Sequence, residues 1–276
     1  MPRELGDKVI VITGASSGIG AATAFECARA GMKVVLNARR LEQLQEVASG
    51  VRHVGSEAHL VVGDVTEPGI SGRMIDAAQE QFGRLDAVFA NAGYGYQRAA
   101  VDLGRDDLRR IFDVNFFAAV DLLQEAARRL IAQNRGGHLL MCSSCLAKFT
   151  LPQNSAYSAT KAAQSHVCAA MRIELAPRAI YVSSVHPVTT ATEFFEVSRR
   201  LSGGGTAQGS VPGHTPKWFV QSPQRVARAV VKCLRRPRPE VWTSFTVRAV
   251  AGVMTVFPSF ADLILRQAQK KDRKGM

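Results

Sequence analysis

Apolar residues in this chain gather into short, nearly unbroken runs separated by longer amphipathic stretches. The runs are KVIVIT (8–13), KVVLNA (33–38), HLVVGDV (59–65), LDAVFAN (85–91), GHLLMCS (137–143), IYVSSVHP (180–187) and EVWTS (240–244). They are rich in Val, Ile and Leu and do not alternate strictly with polar residues, the pattern of strands buried on both faces. Between them, apolar positions recur three and four residues apart. AATAFECARAG (21–31) predicts a helix capped at Gly31. DLRRIFDVNFFAAVDLLQEAARRLIAQNRGG (107–137) predicts a long helix that stops at Gly136 and Gly137. Strand and helix alternate throughout, which predicts an α/β fold: a doubly wound parallel sheet of about seven strands with helices on both faces.

No linker or internal repeat divides the chain, so residues 1–276 read as one domain. SGGGTAQGSVPGHTP (202–216) is too glycine-rich for a helix and reads as a mobile loop. Lying before the last strand, within a substrate-side region 193–222, it is either a lid or a plain insertion. Residues 248–276 form a C-terminal extension. Its apolar part, Ala249 to Leu265, is broken by Pro258 and Asp262. It falls short of the ~20 residues of a membrane span, so a core or surface helix is expected.

Composition changes this picture little: 46% hydrophobic and 21% charged residues suit a soluble globular protein. The net charge of +12 attracts nucleic acid, anionic lipid or phosphorylated small molecules, or simply reflects a solvated arginine-rich surface. No basic helix with interleaved aromatics supports a nucleic-acid partner. Weak peripheral membrane contact through the C-terminal segment and its basic tail KKDRKGM (270–276) stays open. Five scattered cysteines, and a first apolar run that opens a strand rather than a signal peptide, point to free thiols in a reducing cytoplasm.

The first strand runs into TGASSGIGAATA (13–24), with Gly14, Gly18 and Gly20 spaced G-x-x-x-G-x-G. One glycine permits a tight turn, one lets the backbone approach a pyrophosphate, and one lets helix and sheet pack closely. With Ser16, Ser17 and Ile19, they would place the pyrophosphate on free N–H groups at a helix start. The fold is then of Rossmann type. The second strand ends NARR (37–40), where an NAD-binding site usually carries an acid for the ribose hydroxyl. Arg39 and Arg40 suit a 2′-phosphate instead, so NADP(H) is favoured over NAD(H). Alternatively, the two arginines merely begin an exposed helix.

MCSSCLAKFTLPQNSAYSATK (141–161) offers two rival chemistries. Cys142 and Cys145 form a C-x-x-C. A zinc site wants two more ligands, and none is suitably placed, so no metal is expected. A thioredoxin-like motif opens a helix, whereas a loop with Pro152 follows here. The pair reads as small buried hydrophobes. Tyr157 and Lys161 form a Y-x-x-x-K on one helical face.

TGASSGIG, GDV (63–65), NAG (91–93), YSATK (157–161) and HPVTTATEF (186–194) occur in an order that resembles the classical short-chain dehydrogenase/reductase family. The likeness spans about residues 6 to 195. It implies a catalytic set of Asn115, Ser144, Tyr157 and Lys161. Tyr157 would be the general acid/base and Ser144 would hold the substrate oxygen. Ser143 would point the other way along the strand. Lys161 would make the phenol more acidic and hold the nicotinamide ribose, while Asn115 would anchor a proton-carrying water. Asp64 and Val65 would meet the adenine; Asn91, Ala92 and Gly93 would flank its ribose. Pro187 to Thr192, including Val188 and Thr190, would cover the nicotinamide, with Thr192 on its carboxamide. Two departures stand out: Pro187-Val188 where the family often has Pro-Gly, and ANAG for NNAG.

The implied activity is an NADP(H)-dependent carbonyl reductase, or secondary-alcohol dehydrogenase, working as a homodimer or homotetramer. Phe194, Phe195, Trp218 and Phe219 either line an apolar substrate pocket or pack a helix. They favour a hydrophobic ketone; Arg199 and Arg200 leave open an anionic or carrier-linked 3-oxoacyl substrate. A non-catalytic NADP(H)-binding sensor is the remaining alternative, though a pure binder has no need of the proton-handling residues.

Overall fold

The computed structural model describes residues 1–202, 220–259, 261–263 and 265–266. Seven parallel strands form one sheet: β1 (Val9–Thr13), β2 (Lys33–Ala38), β3 (Ala58–Val62), β4 (Ala87–Ala90), β5 (Gly137–Cys142), β6 (Ile180–His186) and β7 (Glu240–Trp242). Their order is β3-β2-β1-β4-β5-β6-β7. The chain winds outward from β1 in one direction and then from β4 in the other. The switch between β1 and β4 opens a crevice at the carboxyl ends of the strands.

The helices are α1 (Gly18–Arg29), α2 (Leu41–His53), α3 (Ile70–Phe82), α4 (Arg105–Phe112), α5 (Ala118–Ala132), α6 (Ser155–Leu175), α7 (Phe194–Leu201), α8 (Pro223–Arg235) and α9 (Phe245–Val256). Two apolar cores cover the two faces of the sheet. Ile10, Ile12, Leu36 and Leu140 pack toward Cys27, Leu44, Val226 and Val230 on one face. Val9, Val11, Val88 and Leu139 pack toward Met74, Leu122, Leu130 and Cys168 on the other. Neighbours along a strand thus serve opposite cores, which is why the central strands carry no polar face.

Three local expectations need correction. β3 is an edge strand and only half-buried, with Val62 40% exposed. The long helix of residues 107–137 is three segments: α4, a π-helical turn at Asp113–Phe117, and α5. It also ends before the glycines. Asn134 takes φ +49°, its N–H donates to Ile131 O, and Arg135 N–H donates to Leu130 O, both at 3.0 Å. This left-handed cap closes the helix with asparagine in the glycine role. Gly137 belongs to β5, where a Cβ would lie 2.4 Å from Leu130 Cδ1. The cap at Gly31 is as the sequence predicts, with φ +83°. The glycine-rich segment 202–216 lies, but for Ser202, outside the described residues, as do Trp218, Phe219 and the tail 270–276.

Candidate active site

Loops leaving the carboxyl ends of the strands surround an open cleft of about 2530 Å³. A drug-sized ligand needs only ~300–1,000 Å³. There is room for a dinucleotide and a second molecule.

The β1–α1 turn makes one wall. Gly14 (φ +64°) and Gly18 (φ +57°) adopt the left-handed conformation, and a Cβ on Gly20 would lie 2.2 Å from Gly14 O. Ser16, Ser17 and Ile19 line the cleft, while Gly20 packs behind the wall. Ser17 occupies the N-cap of α1 but makes no side-chain capping bond. The first N–H groups of α1 are thereby left without a side-chain acceptor, which fits the diphosphate of a dinucleotide.

Asn91 does something the sequence did not indicate. Its Nδ2 donates to Thr13 O at 3.0 Å, while Thr13 Oγ1 accepts the N–H groups of Asn91 and Ala92, each at 3.0 Å. Its amide therefore ties β4 to the glycine turn. Asn91, Ala92 and Gly93 all line the cleft nonetheless.

Arg39 and Arg40 lie at the end of β2. Arg39 Nη1 donates to Asp64 Oδ2 at 3.3 Å. Arg40 Nη2 donates to Ser16 Oγ (3.2 Å), Ser17 Oγ (3.1 Å) and Glu193 Oε2 (2.9 Å). Both guanidinium groups line the cleft and are substantially exposed, so these carboxylate pairs are weak and exchangeable for a phosphate. Partial burial raises the Asp64 carboxyl, but hydrogen bonds from Thr66 and Arg39 outweigh it and hold the group below its ordinary value. Val65 lines the same wall.

Beyond the end of β5, neighbouring serines diverge as strand geometry requires. Ser143 Oγ donates to Lys161 O at 2.9 Å, fastening strand to helix α6. Ser144 lines the cleft, its Oγ accepting Leu146 N–H at 3.1 Å. Tyr157 and Lys161 follow one helical turn apart on α6. Lys161 Nζ donates to Cys142 O at 2.7 Å and stands 5.5 Å from the Tyr157 ring centroid. The Ser144 hydroxyl is near enough to the phenol to favour its ionised form.

Burial lowers the Lys161 ammonium to about 8. Burial raises the Tyr157 phenol; the hydrogen bond to Ser144 opposes this, and the Cys142 and Cys145 thiols add to it. The direction is opposite to the expectation that the ammonium acidifies the phenol. Lys161 Nζ donates to Cys142 O, and burial is the largest influence on the phenol.

Cys142 and Cys145 are buried and unbonded. Burial lifts both thiols, Cys145 to about 11, which makes them poor nucleophiles. Cys145 packs with Val188 and Val247. Val188 therefore has a packing role at the position where the family often has glycine.

Asn115 is fully buried in the π-helical turn. Its Oδ1 accepts Tyr94 N–H and its Nδ2 donates to Tyr94 O, both at 2.9 Å, and to Thr160 Oγ1 at 3.3 Å. Gln164 Nε2 donates to its backbone oxygen. This bond ties the π-helical turn to α6. A Cβ on Gly93 would lie 2.9 Å from Asn115 Oδ1 and 3.6 Å from Lys161 Nζ, so both groups converge on Gly93.

Pro187, Val188, Thr190 and Thr192 line the opposite wall. Pro187 O accepts Cys145 N–H at 3.1 Å, and Thr190 Oγ1 donates to Val188 O at 2.8 Å. Thr192 Cγ2 comes within 3.1 Å of where a Gly18 Cβ would sit, closing the loop over the turn. Phe194 stands edge-on to Tyr157, with ring centroids 5.4 Å apart.

Sequence reasoning passed over His186, Glu193, Thr13 and Gln164. His186 and Glu193 lie within HPVTTATEF and Thr13 opens TGASSGIG, so three of the four stood inside quoted motifs, while Gln164 stood in none. Their contacts run across the sheet or between helices, where spacing along the chain gives no warning.

The sequence model described as short chain dehydrogenase matches residues 8–201. An uncharacterized oxidoreductase of Listeria innocua is 31% identical over 87% of this chain and 96% of its own length. A short chain dehydrogenase of Burkholderia cenocepacia, solved in complex with NADP, is 27% identical with TM-score 0.75, covering 87% of this chain and 97% of that one. A short chain dehydrogenase/reductase of Burkholderia phymatum, solved in complex with NAD, superposes with TM-score 0.83 at 23% identity, over 94% of this chain and 96% of that one.

Proposed function

Since the chain belongs to the short chain dehydrogenase family and is an oxidoreductase with a nicotinamide-dinucleotide fold, we propose that it is an NADP(H)-dependent reductase of hydrophobic ketones, reversible toward the secondary alcohol. The observation that carries this reading is the meeting of Ser144, Tyr157 and Lys161 on one wall of the cleft that the glycine turn and Arg40 also line.

A nicotinamide held in the cleft would supply hydride to the carbonyl carbon, or take it from the carbinol carbon of the alcohol. Ser144 Oγ donates a hydrogen bond to the substrate oxygen and fixes its position. Tyr157 gives its phenolic proton to the same oxygen. A phenol whose pKa is raised is protonated at neutral pH, the form that reduction needs. Lys161 stabilises the phenolate left behind; with its own pKa near 8 it is charged at neutral pH. Asn115 braces the Tyr94 loop beneath these groups.

The NADP(H) preference is supported by two exposed guanidinium groups at the end of β2 and by the lack of an acid at Ala38. The apolar substrate is supported by Leu146, Phe149, Phe194, Val250 and Met254 along the cleft. Exposed Leu108, Phe117 and Ile131 on the α4–α5 segment support assembly as a homodimer or homotetramer, and five buried free thiols support a reducing cytoplasm.

The test follows reduced-cofactor absorbance with NADPH, NADH and ketones ordered by size and charge. NADPH turnover of apolar ketones, abolished in Tyr157→Phe while NADPH binding persists, is the expected result. Binding without turnover of any ketone makes the protein a sensor; equal use of NADH overturns the phosphate assignment.

A further inference from the structure

Helix α9 is apolar on two sides. Its inward stripe, Val247, Ala251 and Met254, is buried at helical spacing against the body of the protein. Its outward side should be polar on a surface helix. Helix α8 obeys that rule, exposing Gln224, Arg225, Arg228, Lys232 and Arg235. Helix α9 instead exposes Phe245 (82%), Val253 (44%) and Val256 (68%), and Phe257 (60%) follows directly. At 100° per residue, Phe245, Ala249, Gly252, Val253 and Val256 form one continuous stripe facing away from the buried one. No acidic residue occurs from Phe245 to Ala261. Arg248 flanks the stripe, and Arg266, Lys270, Lys271, Arg273 and Lys274 follow in sequence against only Asp262 and Asp272.

We infer that the outward face of α9 docks on an anionic lipid bilayer, the helix lying in the interface plane. The apolar stripe supplies burial among the acyl chains, and the basic residues after it, with the net charge of +12, supply attraction to anionic headgroups. A second copy laid on the same face would bring two net-positive segments together, which disfavours self-association there. Among the described residues no helix is long and apolar enough to cross a membrane. The same helix lines the cleft through Val247, Val250 and Met254. Docking therefore sets the cleft beside the bilayer, and a lipid-dissolved ketone enters from the membrane. This last step rests on the proposed reductase activity; the docking does not.

The test is flotation of the full chain with vesicles of phosphatidylcholine alone or mixed with phosphatidylglycerol, at low and high salt. The protein should float with the mixed vesicles, less so at high salt, and hardly with phosphatidylcholine. A Phe245→Glu/Val256→Glu variant should partition roughly tenfold less or weaker still. It should keep its thermal midpoint and its turnover of a water-soluble ketone, since neither residue lines the cleft. Wild-type protein left unmoved by anionic vesicles, or a variant that floats equally well, overturns the proposal. A dimer in sedimentation that this variant breaks, with no flotation, assigns the face to a second copy instead. Flotation without any ketone turnover sinks the reductase reading and leaves the docking standing.

Discussion

His186 Nδ1 lies 2.9 Å from the backbone oxygen of Ser144. A carbonyl oxygen only accepts, so Nδ1 carries the proton. Nε2 then accepts from Ser184 Oγ at 2.9 Å. The ring stacks on Trp242 at 4.6 Å and is fully buried. His186 thus fixes the main chain that carries Ser144, the serine proposed to hold the substrate oxygen. His186→Phe keeps a ring on Trp242, leaves Ser144 O with the Ala147 N–H alone, and leaves the Ser184 hydroxyl without its partner. Its thermal midpoint should drop, each lost partner costing about 1–3 kcal/mol. Steady-state kinetics should show kcat reduced and the Kd for NADPH unchanged. An unchanged kcat in a folded variant denies His186 this positioning role.

The two histidines buried among the described residues also set an acid limit on stability. Burial lowers His138 to about 3 and His186 to about 4, from 6.5. Below about pH 6.5 the unfolded chain takes up protons that the folded chain refuses until those lower values. Stability from this source is complete above about 6.5 and declines as pH falls, by about 1.4 kcal/mol per pH unit for each histidine. Denaturant midpoints recorded from pH 7 to 4 should fall accordingly. His138→Asn should flatten the slope, and a midpoint constant over that range contradicts the assignment.

Much of this site is legible in the sequence, for a physical reason. The glycine turn and the Tyr157–Lys161 pair are local, fixed by φ values and by one helical turn. The Ser144–His186 contact depends instead on the parallel register that sets Cys142 against Val185 across two strands. The π-helical turn at Asp113–Phe117 leaves the apolar spacing of residues 107–137 intact, so periodicity reads straight through it. The raised Tyr157 phenol follows from burial, which no motif encodes.

Glu193 competes for Arg40. The pair is 2.9 Å long and roughly half-exposed at each end, so its net worth is ~0–1 kcal/mol. Removing the carboxylate frees Arg40 for a phosphate. Glu193→Gln should lower the KM for NADPH up to roughly fivefold and leave the KM for NADH alone. Arg40→Ala should raise the KM for NADPH by roughly ten- to hundredfold, the worth of a charged hydrogen bond. Equal shifts with both cofactors in either variant count against a phosphate contact at Arg40.

Gly20 is the least replaceable glycine of the turn. A Cβ there would meet Gly14 O at 2.2 Å and Asn91 Nδ2 at 2.8 Å. Neither is the free end of a flexible chain, because Asn91 is held on Thr13. Gly20→Ala should displace α1 from the sheet and abolish NADPH binding, read by calorimetry. Gly72→Ala, where a Cβ meets nothing within 4 Å, is the control. Comparable affinity in the two variants sinks this account of the turn.

The pH profile of reduction should turn on Lys161. Its ammonium loses a proton near pH 8, well below the ordinary 10.5, because it is buried. Below that pH a positive charge stands by the phenolate formed when Tyr157 gives up its proton; above it the charge is gone. The rate of ketone reduction should therefore be flat through neutral pH and decline above about 8. Burial moves the ionisation of the Tyr157 phenol upward, away from this window. Lys161→Arg keeps a charge at every accessible pH, though its longer planar head is poorly matched to Cys142 O. That variant should be slower throughout and lack the inflection near 8. If the inflection persists in Lys161→Arg, another group sets the profile and Lys161 is not the electrostatic partner of Tyr157.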